Sequence, residues 1–358
     1  MSYKKLAINL LVSVASIIIV LGLAEGVVKF FSGSWFNQHF HESRLVLVFG
    51  NCRTTDFRTS QSSLFFRLVS FPPDLLYENR PDASGTLFGT RVKINSYGMR
   101  DNEVAVKKPA GVYRIAVLGD SVVFGYEANQ QDLFTEVLEK RIAEKMADKV
   151  EVLNFGVPGY STKQELVQLE SKVLQFDPDM VIIAQHPNDI YGTGVTSLTP
   201  SFFLKLIAEH SNLFGCFNRN GKLISSKGVG GSTKPTGSHK ELYAKDSEVW
   251  KNYEELFDNF GKISKENNIP IIVATLPEFK NLNEKYEYGY IHDMVAERAK
   301  KAGLSVISMH PPLVIYEEGA VMYRAISGDI DHPNEKGHAK IADMIYNELI
   351  RQDLLPIK

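Results

Sequence analysis

The chain has only two cysteines in 358 residues, Cys52 and Cys216. So few sulfurs exclude a disulfide-stapled framework and a thiolate zinc site, and leave open either one Cys52–Cys216 bridge or two free thiols. A basic surplus is missing too, since 40 Lys and Arg stand against 42 Asp and Glu for a net charge of −2. That balance offers no cationic surface for a phosphate backbone, so nucleic-acid binding is set aside. Neither Gly-x-x-x-x-Gly-Lys nor a strand-linked Gly-x-Gly-x-x-Gly occurs. No nucleotide, metal or other cofactor is implied. What is present is 44% apolar and 23% charged, enough to bury a full core and leave room for more than one module.

Only one long apolar run exists, Leu6 to Leu23, preceded by Lys4 and Lys5 and followed by Glu25 and Lys29. Its length just reaches what spans a bilayer. Positive flanks stay cytoplasmic, so the expectation is a single-pass anchor over residues 1–31 with the rest of the chain periplasmic or extracellular. A cleaved signal peptide is the rival, because Gly22-Leu23-Ala24 offers small residues to a signal peptidase. Apolar character continuing through Val27-Val28 and Phe30-Phe31 favours a retained anchor.

The chemistry concentrates where a short apolar run, Arg114 to Leu118, leads into Gly119-Asp120-Ser121, answered far downstream by Asp329-Ile330-Asp331-His332. A serine hydroxyl is a poor nucleophile until an imidazole takes its proton, and the imidazole works best when a carboxylate fixes its tautomer. Ser121, His332 and Asp329 fit those roles, and an acid three residues before a histidine can fold back onto its ring. Asp120 reads as a structural carboxylate that bonds loop amides. Two further runs follow: Val150–Leu153 leads into Asn154-Phe155-Gly156-Val157-Pro158-Gly159, and Met180–Ala184 into Gln185-His186-Pro187-Asn188-Asp189. A glycine N–H, from Gly156 or Gly159, and the Asn188 amide would join the Ser121 N–H as an oxyanion hole. Of the other histidines, His292 and His338 fall within helical patterns and read as packing residues, while His310 is a weaker candidate to line the pocket.

These four blocks, in this order, resemble those of the SGNH (GDSL) hydrolase family over roughly residues 112–350. The resemblance implies a serine, a glycine, an asparagine and a histidine at Ser121, Gly159, Asn188 and His332, with Asp329 completing the triad, and it favours Gly159 over Gly156. The third block departs from the family pattern of Gly-x-Asn-Asp: here His186 and Pro187 precede Asn188. Proline fixes φ and removes a donor, and His186 is expected as a wall residue of the pocket, with Asp120 nearby. A stretch from Val92 to Asp101 looks like one found upstream of the serine block in membrane-anchored relatives, and reads as a structural turn.

Around the blocks the chain alternates strand and helix signals. Strands are expected over 113–118, 150–154, 180–184, 270–275 and 304–308, and helices over 132–147, 162–175, 247–267, 283–302 and 334–351. This predicts an α/β three-layer sandwich with a parallel five-stranded, flavodoxin-like sheet in residues 110–358. Residues 32–109, with strand-like Leu45–Phe49 and Arg91–Asn95, read as an extension packed on that domain. Residues 191–244 read as an insertion that could hang over the serine, with a helix over 201–210.

The expected activity is hydrolysis of an ester-linked acyl group through an acyl-enzyme. An exported, tethered domain points to O-acetyl or other short acyl groups on a surface glycan. Lipid esters, acyl transfer to polysaccharide with a membrane donor partner, and a non-catalytic glycan-binding role are the alternatives.

Overall fold

The computed structural model describes residues 65–68, 75, 77–87, 89–146, 149–192, 238–278, 286–309 and 332–357. Phe66–Leu68 (β1) belongs to one compact unit. The described residues from 77 onward fall in a second unit, spanning 77–196 and 232–358.

The second unit opens with Tyr77–Asn79 (β2) and an antiparallel hairpin of Ser84–Leu87 (β3) and Thr90–Lys93 (β4), in which Val92 is the buried residue of its strand. Five parallel strands follow: Tyr113–Leu118 (β5), Val150–Asn154 (β6), Met180–Gln185 (β7), Ile271–Thr275 (β8) and Ser305–Ser308 (β9). Their spatial order is β6-β5-β7-β8-β9. The register pairs Ile115 with Val152 on one side and with Met180 on the other. Every residue of β7 and β8 is buried, as continuous apolar strands require when both sheet faces are covered.

The covering helices divide between the two faces. Phe134–Met146 (α2) and Glu335–Arg351 (α7) bring Leu138, Ile142, Ile341 and Ile345 onto Ile115, Val117, Ile182 and Ile272. Thr162–Ser171 (α3), Glu248–Asn267 (α5) and Gly289–Lys301 (α6) bring Leu169, Phe257, Phe260 and Val295 onto Ala116, Leu118, Ile183 and Val273. Among the described residues the two remaining α-helices are single turns, Ser121–Phe124 (α1) and His239–Leu242 (α4). Three layers around a parallel five-stranded sheet agree with the expected architecture.

Two boundaries differ from the sequence expectation. The helix expected over 283–302 starts at Gly289, because Tyr286 ties the preceding turn: its hydroxyl bonds His292 Nε2 at 2.8 Å and accepts the Glu278 N–H at 3.1 Å. The helix expected over 162–175 stops at Ser171, then tightens into a 3₁₀ turn, Val173–Phe176. Asp177 ends it as a left-handed cap at φ 51°, and Pro178 cannot continue the helix.

The first crossover, through α2, carries the chain from β5 to β6, and the second, through α3, returns it past β5 to β7. That reversal makes the carboxyl ends of β5 and β7 the switch point where open α/β sheets bind ligands. Several expectations lie outside the described residues: the run Leu6–Leu23, both cysteines, the strand over Leu45–Phe49, the helix over 201–210, His310, Asp329 and most of 191–244. Among the described residues no helix is long and apolar enough to cross a membrane.

Candidate active site

Leaving β5, the chain passes Gly119, where a β-carbon would overlap the Val123 side chain and come 3.1 Å from the Ala184 carbonyl. Asp120 then caps α1, its Oδ1 accepting the Val122 N–H at 2.8 Å. Capping fixes the first turn, and with it Ser121, the first residue of the helix. Ser121 is 9% exposed, so its hydroxyl lies at the edge of solvent.

His332 reaches this serine across 211 residues of sequence, with Nε2 2.9 Å from Ser121 Oγ. It precedes the α7 cap, where Asn334 Oδ1 accepts the Gly337 N–H at 3.0 Å. The ring of Tyr126, on the turn after α1, lies 5.0 Å from the imidazole at a 53° tilt. Nothing in the residue pattern had marked Tyr126.

The loop after β6 separates the two glycines. Asn154 folds back on its own loop, Oδ1 accepting the Gly156 N–H at 3.0 Å, while Nδ2 donates to the Val123 carbonyl at 2.8 Å. A β-carbon at Gly156 would overlap the Phe124 backbone, so this glycine serves close packing and its N–H is already committed. Gly159, at φ 76°, is exposed, and its N–H makes no hydrogen bond to other described residues.

Asn188 stands in a 3₁₀ turn, Pro187–Gly192, directly after β7. It is half-buried. Proline opens the turn where its missing N–H costs nothing, and Asp189 closes it, Oδ2 accepting the His186 N–H at 2.6 Å while the Asp189 N–H donates to the His186 carbonyl at 2.9 Å. The departure from the family block therefore still yields an ordered turn. His186 itself is fully buried, with no hydrogen-bond partner for either ring nitrogen among the described residues, and Asp120 is nearly as enclosed. Both support the site from within rather than forming its wall.

A further acid, Glu165 on α3, is also fully buried, and neither of its carboxyl oxygens has a partner among the described residues. Burial, then the Asp120 charge, pushes its pKa well up; for Asp189, burial, then the charges of Glu165 and Asp120, does the same. Burial and the neighbouring carboxyl charge both disfavour the charged forms of Glu165 and Asp189. His338 packs against Phe134, accepts that residue's N–H at 3.2 Å through Nδ1, and is driven down to about 3 by burial first. His292 is buried on the Tyr286 hydroxyl. Neither approaches the serine as a second base.

The family model for the GDSL-like lipase/acylhydrolase family matches residues 117–340. The chain belongs to that family. It is therefore a GDSL-type ester hydrolase, and the matched span begins inside β5 and ends in α7, enclosing all four blocks. No curated protein matches the GDSL hydrolase in sequence. Among solved structures it is similar to a two-domain esterase active on acetylated mannans, at 17% identity and TM-score 0.42, over 70% of this chain and 52% of that one. The chain thus spans about half the length of that protein. A lipase/acylhydrolase from Enterococcus faecalis is similar at 18% identity and TM-score 0.40, over 69% of this chain and 99% of that one. An acetyl xylan esterase follows at 12% and 0.38, over 66% and 99%. The activities named belong to those proteins.

Proposed function

We propose that this GDSL hydrolase removes O-acetyl or other short acyl groups from a cell-surface glycan, with Ser121 as nucleophile, His332 as base and Asp329 as the acid that orients it. The observation that carries this reading is the 2.9 Å contact between His332 Nε2 and Ser121 Oγ. Neutral imidazole at that distance takes the hydroxyl proton as Oγ attacks the ester carbonyl carbon. The carbonyl oxygen becomes an oxyanion, for which the N–H groups of Ser121 and Gly159 and the amide of Asn188 are the proposed donors. Collapse of the intermediate breaks the ester C–O bond, and His332 returns the proton to the departing sugar hydroxyl. Water, deprotonated by the same imidazole, then releases the acid and restores Ser121. The charge-flanked run Leu6–Leu23 supports a tethered enzyme facing surface polymers.

Turnover of p-nitrophenyl esters of increasing chain length by the full-length protein tests this. Acetate is expected to be the best substrate, with Ser121→Ala inactive. Asn188→Ala should lose on the order of 10² to 10³ in kcat while remaining folded. Activity persisting in Ser121→Ala would remove the nucleophile, and preference for long acyl chains would move the substrate to lipid.

A further inference from the structure

Ser121 opens α1 after β5 and Gly159 lies on the loop after β6, and a third stretch of chain is bonded to both connections. This strap runs from Tyr77 to Asn102. On the serine side, the buried Arg100 guanidinium donates through Nη1 to the carbonyls of Phe124 (3.2 Å) and Gly125, and through Nη2 to that of Ala128. These carbonyls end α1 and form the turn that carries Tyr126. A cation there is favoured by the C-terminal end of the helix. Burial lowers Arg100 to about 10, which leaves it charged at neutral pH.

On the glycine side, Asn79 Nδ2 donates to the Gly156 carbonyl at 2.9 Å, and the Tyr77 hydroxyl donates to the carbonyl of Pro158, the residue before Gly159, at 2.7 Å. The Tyr160 hydroxyl returns a bond to the Tyr77 carbonyl. Asp101 Oδ2 accepts the Asn154 N–H at 2.9 Å, where this loop leaves β6.

Between its two ends the strap is internally braced. Asn95 Oδ1 accepts the N–H groups of Tyr97 and Met99, and its Nδ2 donates to the Asn102 carbonyl. Asn79 Nδ2 also reaches the Gly98 carbonyl, and Gly98, at φ 79°, allows an approach at which a β-carbon would stand 3.0 Å from the Asn79 carbonyl oxygen. The two loops touch directly near their bases, where the Val157 N–H meets the Gly119 carbonyl at 3.0 Å. Asn154 Nδ2 and Gly156 also meet the Val123 and Phe124 backbone directly, and the strap adds a second hold on each side.

We propose that Tyr77, Asn79 and Arg100 are positioning residues that set the distance between the oxyanion donors of Ser121 and Gly159 and hold Tyr126 against His332. This rests on the roles given to those residues above. Oxyanion donors act only when fixed in advance, and a misplacement of about 1 Å costs on the order of 10² in rate.

The test is the rate at which a fluorophosphonate labels Ser121 in the full-length protein, alongside kcat and KM for p-nitrophenyl acetate. Tyr77→Phe deletes one hydroxyl and Arg100→Met the guanidinium. Labelling is expected to reach completion in both, with the labelling rate and kcat lowered about tenfold, KM within about twofold, and partial recovery in Arg100→Lys. Wild-type rates in both variants would overturn the proposal. So would incomplete labelling at an unchanged rate, which marks lost folded protein rather than misplaced donors. Should the wild type itself fail to label, the triad assignment falls and amide exchange over 156–160 decides the strap: faster exchange in Tyr77→Phe supports it, and unchanged exchange overturns it.

Discussion

His338, in the first turn of α7, has the clearest titration consequence of any single side chain. Burial first, then the Arg100 and His332 charges, lower its pKa from 6.5 to about 3, so the folded state refuses a proton that the unfolded chain accepts. Its contribution to stability is complete above pH 6.5 and is lost as the pH falls from there toward 3, amounting to about 2 kcal/mol by pH 5. His338→Gln keeps an acceptor for the Phe134 N–H but does not titrate. Its Tm should therefore fall less between pH 7.5 and pH 5 than that of the wild type; an equal fall would place the acid sensitivity elsewhere. At this scale the sequence picked out Ser121 and His332 because reaction chemistry restricts residue type, and the two stand 2.9 Å apart in the fold. The stretch holding Arg100 was marked only as a structural turn, and Asn79 and Tyr77 not at all, because these side chains bond to backbone carbonyls, which leave no mark in residue type.

Among the elements, α7 links packing to the site. Its inner face fills the core with Ile341 and Ile345, and its cap, Asn334, closely follows His332. Asn334→Ala should cost about 1 kcal/mol and lower kcat as well, since the freed first turn loosens the backbone that carries the imidazole. Unfolding midpoints together with kcat check this; a stability loss without a change in kcat would uncouple cap from base. Elements of strong period were readable from the chain, including β5, β6 and α5, because their apolar positions repeat at the spacing of a covered strand or helix face. Ends were less readable: α6 starts late because of Tyr286, whose partners His292 and Glu278 a local window does not weigh together. The single turn α1 is too short for periodicity to register.

For the molecule as a whole, stability should grade outward from the sheet centre. Among the described residues, strands β5, β7 and β8 have a paired strand on both edges, while β6 and β9 each have one. Amides of the three central strands are expected to exchange last with solvent, by mass-resolved hydrogen exchange. Slower exchange in β6 or β9 would contradict a core centred on the switch point. The topology itself was visible in the alternation of strand and helix signals, whereas the hold of 77–102 on two loops depends on contacts between residues far apart in the chain.

The sequence separation of 211 between Ser121 and His332 also orders events during synthesis. A ribosome completes β5 and its serine turn, and goes on to β6, β7 and β8, long before the imidazole exists. On the proposed mechanism the nascent protein carries, throughout that interval, a serine without the base assigned to it, so an unfinished chain is not expected to attack the esters it meets. On that mechanism catalytic competence arrives with the docking of α7 beside α2, which would make the first turnover a report that this face of the sheet has closed.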